Sequence, residues 1–417
     1  MERFTGLVGL AVILGAAFAL SKARSKIRWS TVVWGVILQF ALGGLVIAWP
    51  SGAAGLKSFS DGITGAIAYS DKGAEFVFSW LAQPDVMGKI SKATGVDFTP
   101  FIFAFKVMPI VIFICSFFTI LYYLGVMQRV VQLFAVVMTK LLKVSGAESL
   151  AVAANIFIGQ TEAPIIVAPY IPKMTSSELL TMMTGGLAHI SGAVLLAYVA
   201  MGIPASYLIT ASVMAAPATI VIAKILRPEV DTPLTAGSVK VRIEREQANV
   251  IEAAAAGASQ GVTLAINICG MLIAFIALIS LFNGILSWCG GLLGFPELTL
   301  QWLFSKALWP LAWMMGVPAV DCDKVARLIG FKTVINEFVA YAEMSKIPLS
   351  EWTAKGRLIA SFALCGFANF ASIGIQIGGI GGLAPTRKSD IARLGLWALL
   401  GGSLATFMTA TIAGILS

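Results

Sequence analysis

Apolar residues along the chain gather into runs at 4–20, 31–49, 101–126, 176–200, 204–226, 259–290, 357–383 and 391–416. Each run is long enough for a helix to cross a hydrocarbon layer of about 30 Å. The pattern predicts an all-α polytopic membrane protein with eight transmembrane helices. Three intervals depart from it. Residues 51–100 mix apolar positions with charges and read as short interfacial helices and loops. Residues 145–173 and 298–345 are half-apolar, broken by Gly and Pro, and carry carboxylates. Each reads as a re-entrant hairpin that enters the membrane and returns. Residues 238–257 (SVKVRIEREQANVIEAAAAG) read as an amphipathic helix lying on the cytoplasmic surface. The first run, 4–20, resembles a signal peptide, but its weakly basic start and the spans that follow favour an uncleaved first helix.

Composition agrees with this reading. Of 417 residues, 58% are hydrophobic and 12% charged, and the mean hydropathy is +0.89. The net charge of +8 does not point to nucleic acid, because Lys and Arg form short clusters between apolar runs. The basic residues at Lys22–Arg28, at Arg129, Lys140, Lys143 and Lys173, at Lys224–Arg245 and at Arg387–Arg393 mark cytoplasmic loops. That places both termini outside, with the first hairpin entering from inside and the second from outside. The five Cys are scattered and read as small core residues. The sequence has no Walker motif, no glycine fingerprint between strand and helix, and no Cys/His metal spacing, so ATP-driven and redox chemistry find no support.

Two stretches echo each other. GGLAHISGAVLLAY (185–198) and CGFANFASIGI (365–375) align Gly186 with Gly366 and His189 with Asn369. Each follows a hairpin carrying a polar pair, Thr161-Glu162 or Asn336-Glu337. Since the hairpins enter from opposite sides, the repeat is inverted. Such repeats place a binding site where helices unwind near the bilayer midplane. Ordinary readings exist for each residue: Glu162 at a wet hairpin tip, Glu337 paired with Lys332, Asn369 and Ser372 bonding a neighbouring helix, His189 in the core, Phe338 and Phe367 as packing. Their confinement to the hairpins and interrupted helices favours function, and a carboxylate at membrane depth is functional by default. A carboxylate with amides, hydroxyls and aromatic rings suits a neutral polar ligand bearing hydroxyls, as a sugar does. Neither hairpin carries a paired Arg clamp, which argues against a phosphorylated substrate.

At these residues the chain resembles the concentrative nucleoside transporters, in a bacterial form. Gly330-Phe-Lys332-Thr-Val-Ile-Asn336-Glu337-Phe338-Val-Ala340-Tyr341 is similar to that family's signature, GQTEAP (159–164) to its first-hairpin motif, and GFANFASIGI (366–375) to its third. The resemblance covers nearly the whole chain. It implies a homotrimer in the inner membrane whose transport domains move as elevators. The scaffold would take residues 1–144 and, with the cytoplasmic helix, 229–297; the two repeats of the transport domain would be 145–228 and 298–417. Gln160, Thr161, Glu162 and Val194 would face the nucleobase. Glu337, Asn369, Ser372 and Phe367 would hold the ribose, with Asn336 shaping the hairpin tip. The base-side residues resemble those of members that accept both purine and pyrimidine nucleosides. The resemblance implies no cofactor and no nucleic-acid partner, only nucleoside, lipid and a coupling ion.

One position departs from the family pattern. Sodium-coupled members bind the ion between the first hairpin and the following helix break, which Asn155 and the carbonyls of Ile158 and Ile190 would match. Where a Ser or Thr hydroxyl is expected, this chain has His189. Imidazole is a poor ligand for a hard cation and titrates near neutrality. The reading therefore favours protons over sodium. The alternative is sodium coupling with the His189 side chain turned away. A reading from another class is a membrane-embedded hydrolase using Glu162 and Glu337 as acid and base, against which the inverted repeat argues.

Overall fold

The computed structural model describes residues 2–95, 102–237, 247–295 and 297–417. Every described element is helical. The chain opens with α1 (Glu2–Ala19) and α2 (Trp29–Gly43), the latter continuing through a wider turn, Gly44–Ala48. Next come α3 (Pro50–Phe78), α4 (Pro84–Thr94), α5 (Phe103–Tyr123) and α6 (Val126–Leu142). The first hairpin is α7 (Gly146–Asn155) and α8 (Ala163–Ile166), followed by the interrupted pair α9 (Ser176–Ala188) and α10 (Gly192–Ala200), then α11 (Ala205–Leu226). After α12 (Val250–Leu292), the second hairpin region holds α13 (Leu300–Ala307), α14 (Trp309–Met314), α15 (Ala319–Val334) and α16 (Glu337–Lys346). The chain ends with the pair α17 (Ala354–Leu364) and α18 (Phe370–Leu383), then α19 (Lys388–Leu416).

Among the described residues, six helical stretches are long and apolar enough to cross a membrane: Trp29–Ala48, Phe103–Tyr123, Ser176–Ala200, Ala205–Leu226, Val250–Leu292 and Pro385–Leu416. Phe4–Ala19 and Phe370–Leu383 are shorter apolar helices.

Three expectations need correcting. Residues 51–78 do not break into short pieces, though α4 beyond them is short as expected: α3 is one 29-residue helix, started by Pro50 in its first turn and tied to α5 by the ion pair Lys106–Asp71 at 2.7 Å. No proline interrupts it; Lys57, Asp61 and Lys72 are exposed, while Asp71 and Glu75 are half-buried. The stretch read as a loop around Arg129 and Lys140 is helix α6. Its buried Met127, Val131, Ala135, Met138 and Leu142 recur on one face, a stripe that the basic residues hid. The amphipathic helix expected at 238–257 lies partly outside the described residues, at 238–246. From Val250 onward that segment belongs to α12, which runs 43 residues without a break. Asn249 caps its start, accepting from the Glu252 amide at 2.9 Å.

Packing divides the helices into two neighbourhoods. α11 and α19 are largely buried, with α1, α2, α9, α17 and α18 around them. α5 and α12 lie against each other along much of their length. Their contact is a Gly257-to-Gly261 spacing: a Cβ on Gly257 would stand 2.6 Å from the Cys115 carbonyl, and one on Gly261 2.6 Å from the Ile112 Cα. Small residues four apart let backbones meet this closely where no hydrophobic effect drives association. The outer face of α12 exposes Ile273, Leu281 and Trp288, as a lipid-facing helix would.

Candidate functional site

The site is built where two helices stop. α9 ends at Ala188, and His189 is extended (φ −116°, ψ 166°) before α10 resumes at Gly192. α17 ends at Leu364, and the chain is non-helical until Asn369 caps α18. The two gaps cross: the Phe367 amide donates to the His189 carbonyl at 3.2 Å. Only glycine fits beside that crossing, since a Cβ on Gly366 would lie 2.9 Å from the Leu187 carbonyl and 3.0 Å from that of Ala188. The Gly192 amide donates to the Phe157 carbonyl at 2.9 Å, joining the first gap to the first hairpin. Unwound backbone is thus satisfied by other unwound backbone, as it must be away from water.

Two asparagines then aim the polar side chains. Asn336 Oδ1 accepts from the Val339 amide at 2.9 Å and starts α16, which puts Glu337 in its first turn. Asn369 Oδ1 accepts from the Ser372 amide at 2.8 Å and starts α18. The Asn369 Nδ2 left over donates to Glu337 Oε2 at 3.2 Å. Tyr198, at the end of α10, donates its hydroxyl to Glu337 Oε1 at 3.0 Å. A buried carboxylate is therefore held by two neutral donors and lies at the N-termini of α16 and α18, whose dipoles favour negative charge. Rings close in around it: Tyr198 to Phe338 at 5.2 Å, Phe338 to Phe103 at 5.5 Å and Tyr198 to Tyr341 at 4.3 Å.

The chain of contacts continues to the first hairpin. Gln160 Nε2 donates to Ser372 Oγ at 3.2 Å. Thr161 rests on α18, where a Cβ on Gly379 would meet its Cγ2 at 2.7 Å. Gln160, Ser372, Asn369 and Glu337 thus form one hydrogen-bonded line. Val194 is buried on α10, one turn before Tyr198, and Phe367 is half-buried in the second gap. Glu162 stands apart from this line, exposed and with its carboxylate folded over Gly159. Tyr198 was not singled out from the sequence. At the end of an apolar run it looks like an interfacial aromatic, and only its contact with Glu337 reveals it.

Lys332 does not pair with Glu337. Its buried ammonium donates to the Ala363 carbonyl at 2.7 Å and to Thr406 Oγ1 at 2.9 Å. It holds the last turn of α17, where a cation is favoured, and so fixes the gap that follows.

The residues expected around a coupling ion also meet. Asn155 is the last residue of α7 and buried; its Nδ2 donates to the Ala151 carbonyl at 2.9 Å, and its Oδ1 has no donor. Gly185 of α9 touches it, since a Cβ there would come within 3.2 Å of Nδ2. His189 is buried, with Nδ1 2.8 Å from the Gly185 carbonyl. Its Nε2 lies toward the Ser212 backbone and makes no bond of full geometry. Ile190 is buried and Ile158 half-buried in the same two turns. A buried amide oxygen without a donor fits a hard monovalent cation, whereas the imidazole adds no oxygen to it.

Family models described as Na+ dependent nucleoside transporter N-terminus, Nucleoside recognition and Na+ dependent nucleoside transporter C-terminus match residues 8–81, 104–205 and 207–414. An uncharacterized transporter of Haemophilus influenzae is 44% identical over 420 residues, covering 100% of this chain and 98% of its own. The chain belongs to the concentrative nucleoside transporter family. Solute carrier family 28 member 3 of Mus musculus is 41% identical, and sodium/nucleoside cotransporter 2 of Rattus norvegicus 40%. The chain spans 59% and 63% of the length of those two mammalian transporters. Among solved structures, the inward-facing, substrate-bound transporter CNTnw is 42% identical with a TM-score of 0.92, covering 100% of this chain and 98% of that one. A doubly substituted, outward-facing form of CNTnw superposes with a TM-score of 0.93 at 42% identity, with the same coverage. As a concentrative nucleoside transporter, the chain is a multi-pass, all-helical membrane protein and not an enzyme.

Proposed function

We propose that this transporter imports nucleosides across a bacterial inner membrane by cation-coupled symport, through eight transmembrane helices arranged as an inverted repeat. The observation that carries the substrate reading is Glu337, a buried carboxylate held by Tyr198 and Asn369, with Lys332 turned elsewhere. Each carboxylate oxygen keeps a second acceptor position, and two vicinal hydroxyls of a ribose supply matching donors. Ser372 and Gln160 extend the line from sugar to base. Gln160, Thr161 and Glu162 offer donors and acceptors to a base edge, with Val194 as an apolar wall, which suits purines and pyrimidines alike. The mutual bonds of the gaps and hairpin tips favour movement of the site as one body, an elevator. That movement needs a stationary partner, which a homotrimer would supply.

For coupling, the donorless Asn155 oxygen shifts the balance to sodium, with the carbonyls of Ile158 and Ile190 as further ligands. The bound ion would supply positive charge between the first hairpin and the α9 gap, drawing the two together. His189 then serves the end of α9 through Gly185 and is not a ligand. Proton coupling is the second reading, favoured by the unbonded His189 Nε2 in a buried place. Radiolabelled uridine uptake into proteoliposomes tests both. Accumulation of unchanged uridine under a sodium gradient at fixed pH is expected. Accumulation only under a pH gradient would transfer the coupling to His189, and none under either would sink the symporter reading.

A further inference from the structure

Beside Gln160 lies a polar residue that none of the motifs included. Gln376 is on α18, one turn past Ser372, and fully buried. Its Nε2 donates to the Met183 carbonyl of α9 at 2.9 Å. A backbone carbonyl only accepts, so this bond fixes which end of the amide is which. The oxygen, Oε1, has no donor. Gln160 is less constrained: its Nε2 donates to the Ser372 hydroxyl, a group that can also donate, and in this arrangement its Oε1 has no donor. The two side chains share the space that a side chain on Gly186 would fill, for a Cβ there would stand 2.6 Å from Gln376 Nε2 and 2.9 Å from Gln160 Cβ. Two neighbouring side-chain amides, both buried and each with an oxygen that lacks a donor, make an arrangement that a ligand completes.

We propose that Gln376 is a specificity-determining residue that reads the nucleobase as a hydrogen-bond acceptor together with Gln160, directly or through one bound water. This rests on the nucleoside reading above. An exocyclic amino group has two N–H donors to offer the pair of oxygens. A carbonyl at the same ring position would face the fixed acceptor of Gln376. The pair therefore favours amino bases, cytosine and adenine, over their oxo counterparts, uracil and hypoxanthine. Gln376 cannot exchange its oxygen for its NH2 without abandoning Met183, so on its side the preference is built in.

The experiment is calorimetric titration of the purified full-length protein with cytidine, uridine, adenosine and inosine, repeated for Gln376→Leu and Gln376→Met. The wild type should bind each amino nucleoside about two- to tenfold more tightly than its oxo partner, the range of one net hydrogen bond. In both variants that ratio should fall to near one, while the ratio of uridine to 2′-deoxyuridine stays as in the wild type. A wild type without the amino preference overturns the proposal with no variant needed. So does a preference that survives in either variant. In both cases the nucleoside reading stands. Failure of the wild type to bind all four nucleosides removes both.

Discussion

Replacing Glu337 by Gln tests the sugar site most directly. The variant keeps the size of the side chain, removes its charge and turns one oxygen into a donor. Asn369 presents only Nδ2 to this carboxylate, because its Oδ1 is committed to the Ser372 amide. Tyr198 can rotate its hydroxyl to accept instead. The new amide will therefore settle with its oxygen toward Asn369 and its NH2 toward Tyr198, and the protein should fold. Ribose then loses an acceptor for one hydroxyl, and its other bond is no longer charge-assisted. Charge-assisted bonds contribute about 1.5–3 kcal/mol and neutral ones about 1 kcal/mol. The total loss comes to about 3 kcal/mol, roughly a hundredfold in Kd for uridine. Calorimetry on wild type and variant, each with uridine and 2′-deoxyuridine, closes a double-mutant cycle. The deoxy compound should bind the wild type about 1–3 kcal/mol more weakly, and that penalty should shrink in the variant. Wild-type affinity for uridine, or an undiminished deoxy penalty in the variant, would refute the assignment of Glu337 to the ribose.

Other outcomes follow from the same geometry. Tyr198→Phe removes one of the two donors to Glu337 and should weaken uridine binding by about 1 kcal/mol; unchanged affinity would reduce Tyr198 to packing. Asn155→Leu should abolish sodium stimulation of uridine uptake in proteoliposomes, and a variant still driven by sodium would clear Asn155 of ion binding. Gly366→Ala would press a methyl group against two backbone carbonyls, 2.9 and 3.0 Å away, that cannot move aside. It should cost about 1–3 kcal/mol of stability, and a melting temperature equal to that of the wild type would show that the crossing yields.

Much of this was legible in the sequence, for physical reasons. A helix that crosses lipid must be apolar over its length, so the long runs announce themselves. α3 and α6 did not, because charged amphipathic helices look like loops to a hydropathy reading. In the site, Gln160, Glu337, Asn369 and Ser372 stand out as polar residues set among apolar ones. Gln376 has the same contrast within IGIQIGGIG, yet no motif drew attention to it. Tyr198 carries its hydroxyl on a ring suited to either environment, so its role depends on a partner far along the chain. Lys332 was drawn toward Glu337 by sequence proximity. The turn at Ile335 separates them and sends the lysine to α17.

The crossing of the two gaps also bears on how the chain is made. The carbonyl of His189 receives its donor from Phe367, so residues synthesised much later complete the first repeat. Until they arrive, that unwound stretch has no such partner at the crossing, in a medium that tolerates none missing. Insertion of the first half must therefore wait in a provisional state, sheltered by water, by lipid headgroups or by the insertion machinery. A nascent chain stalled before residue 367 would carry this unfinished segment openly, and membrane quality control would find it there.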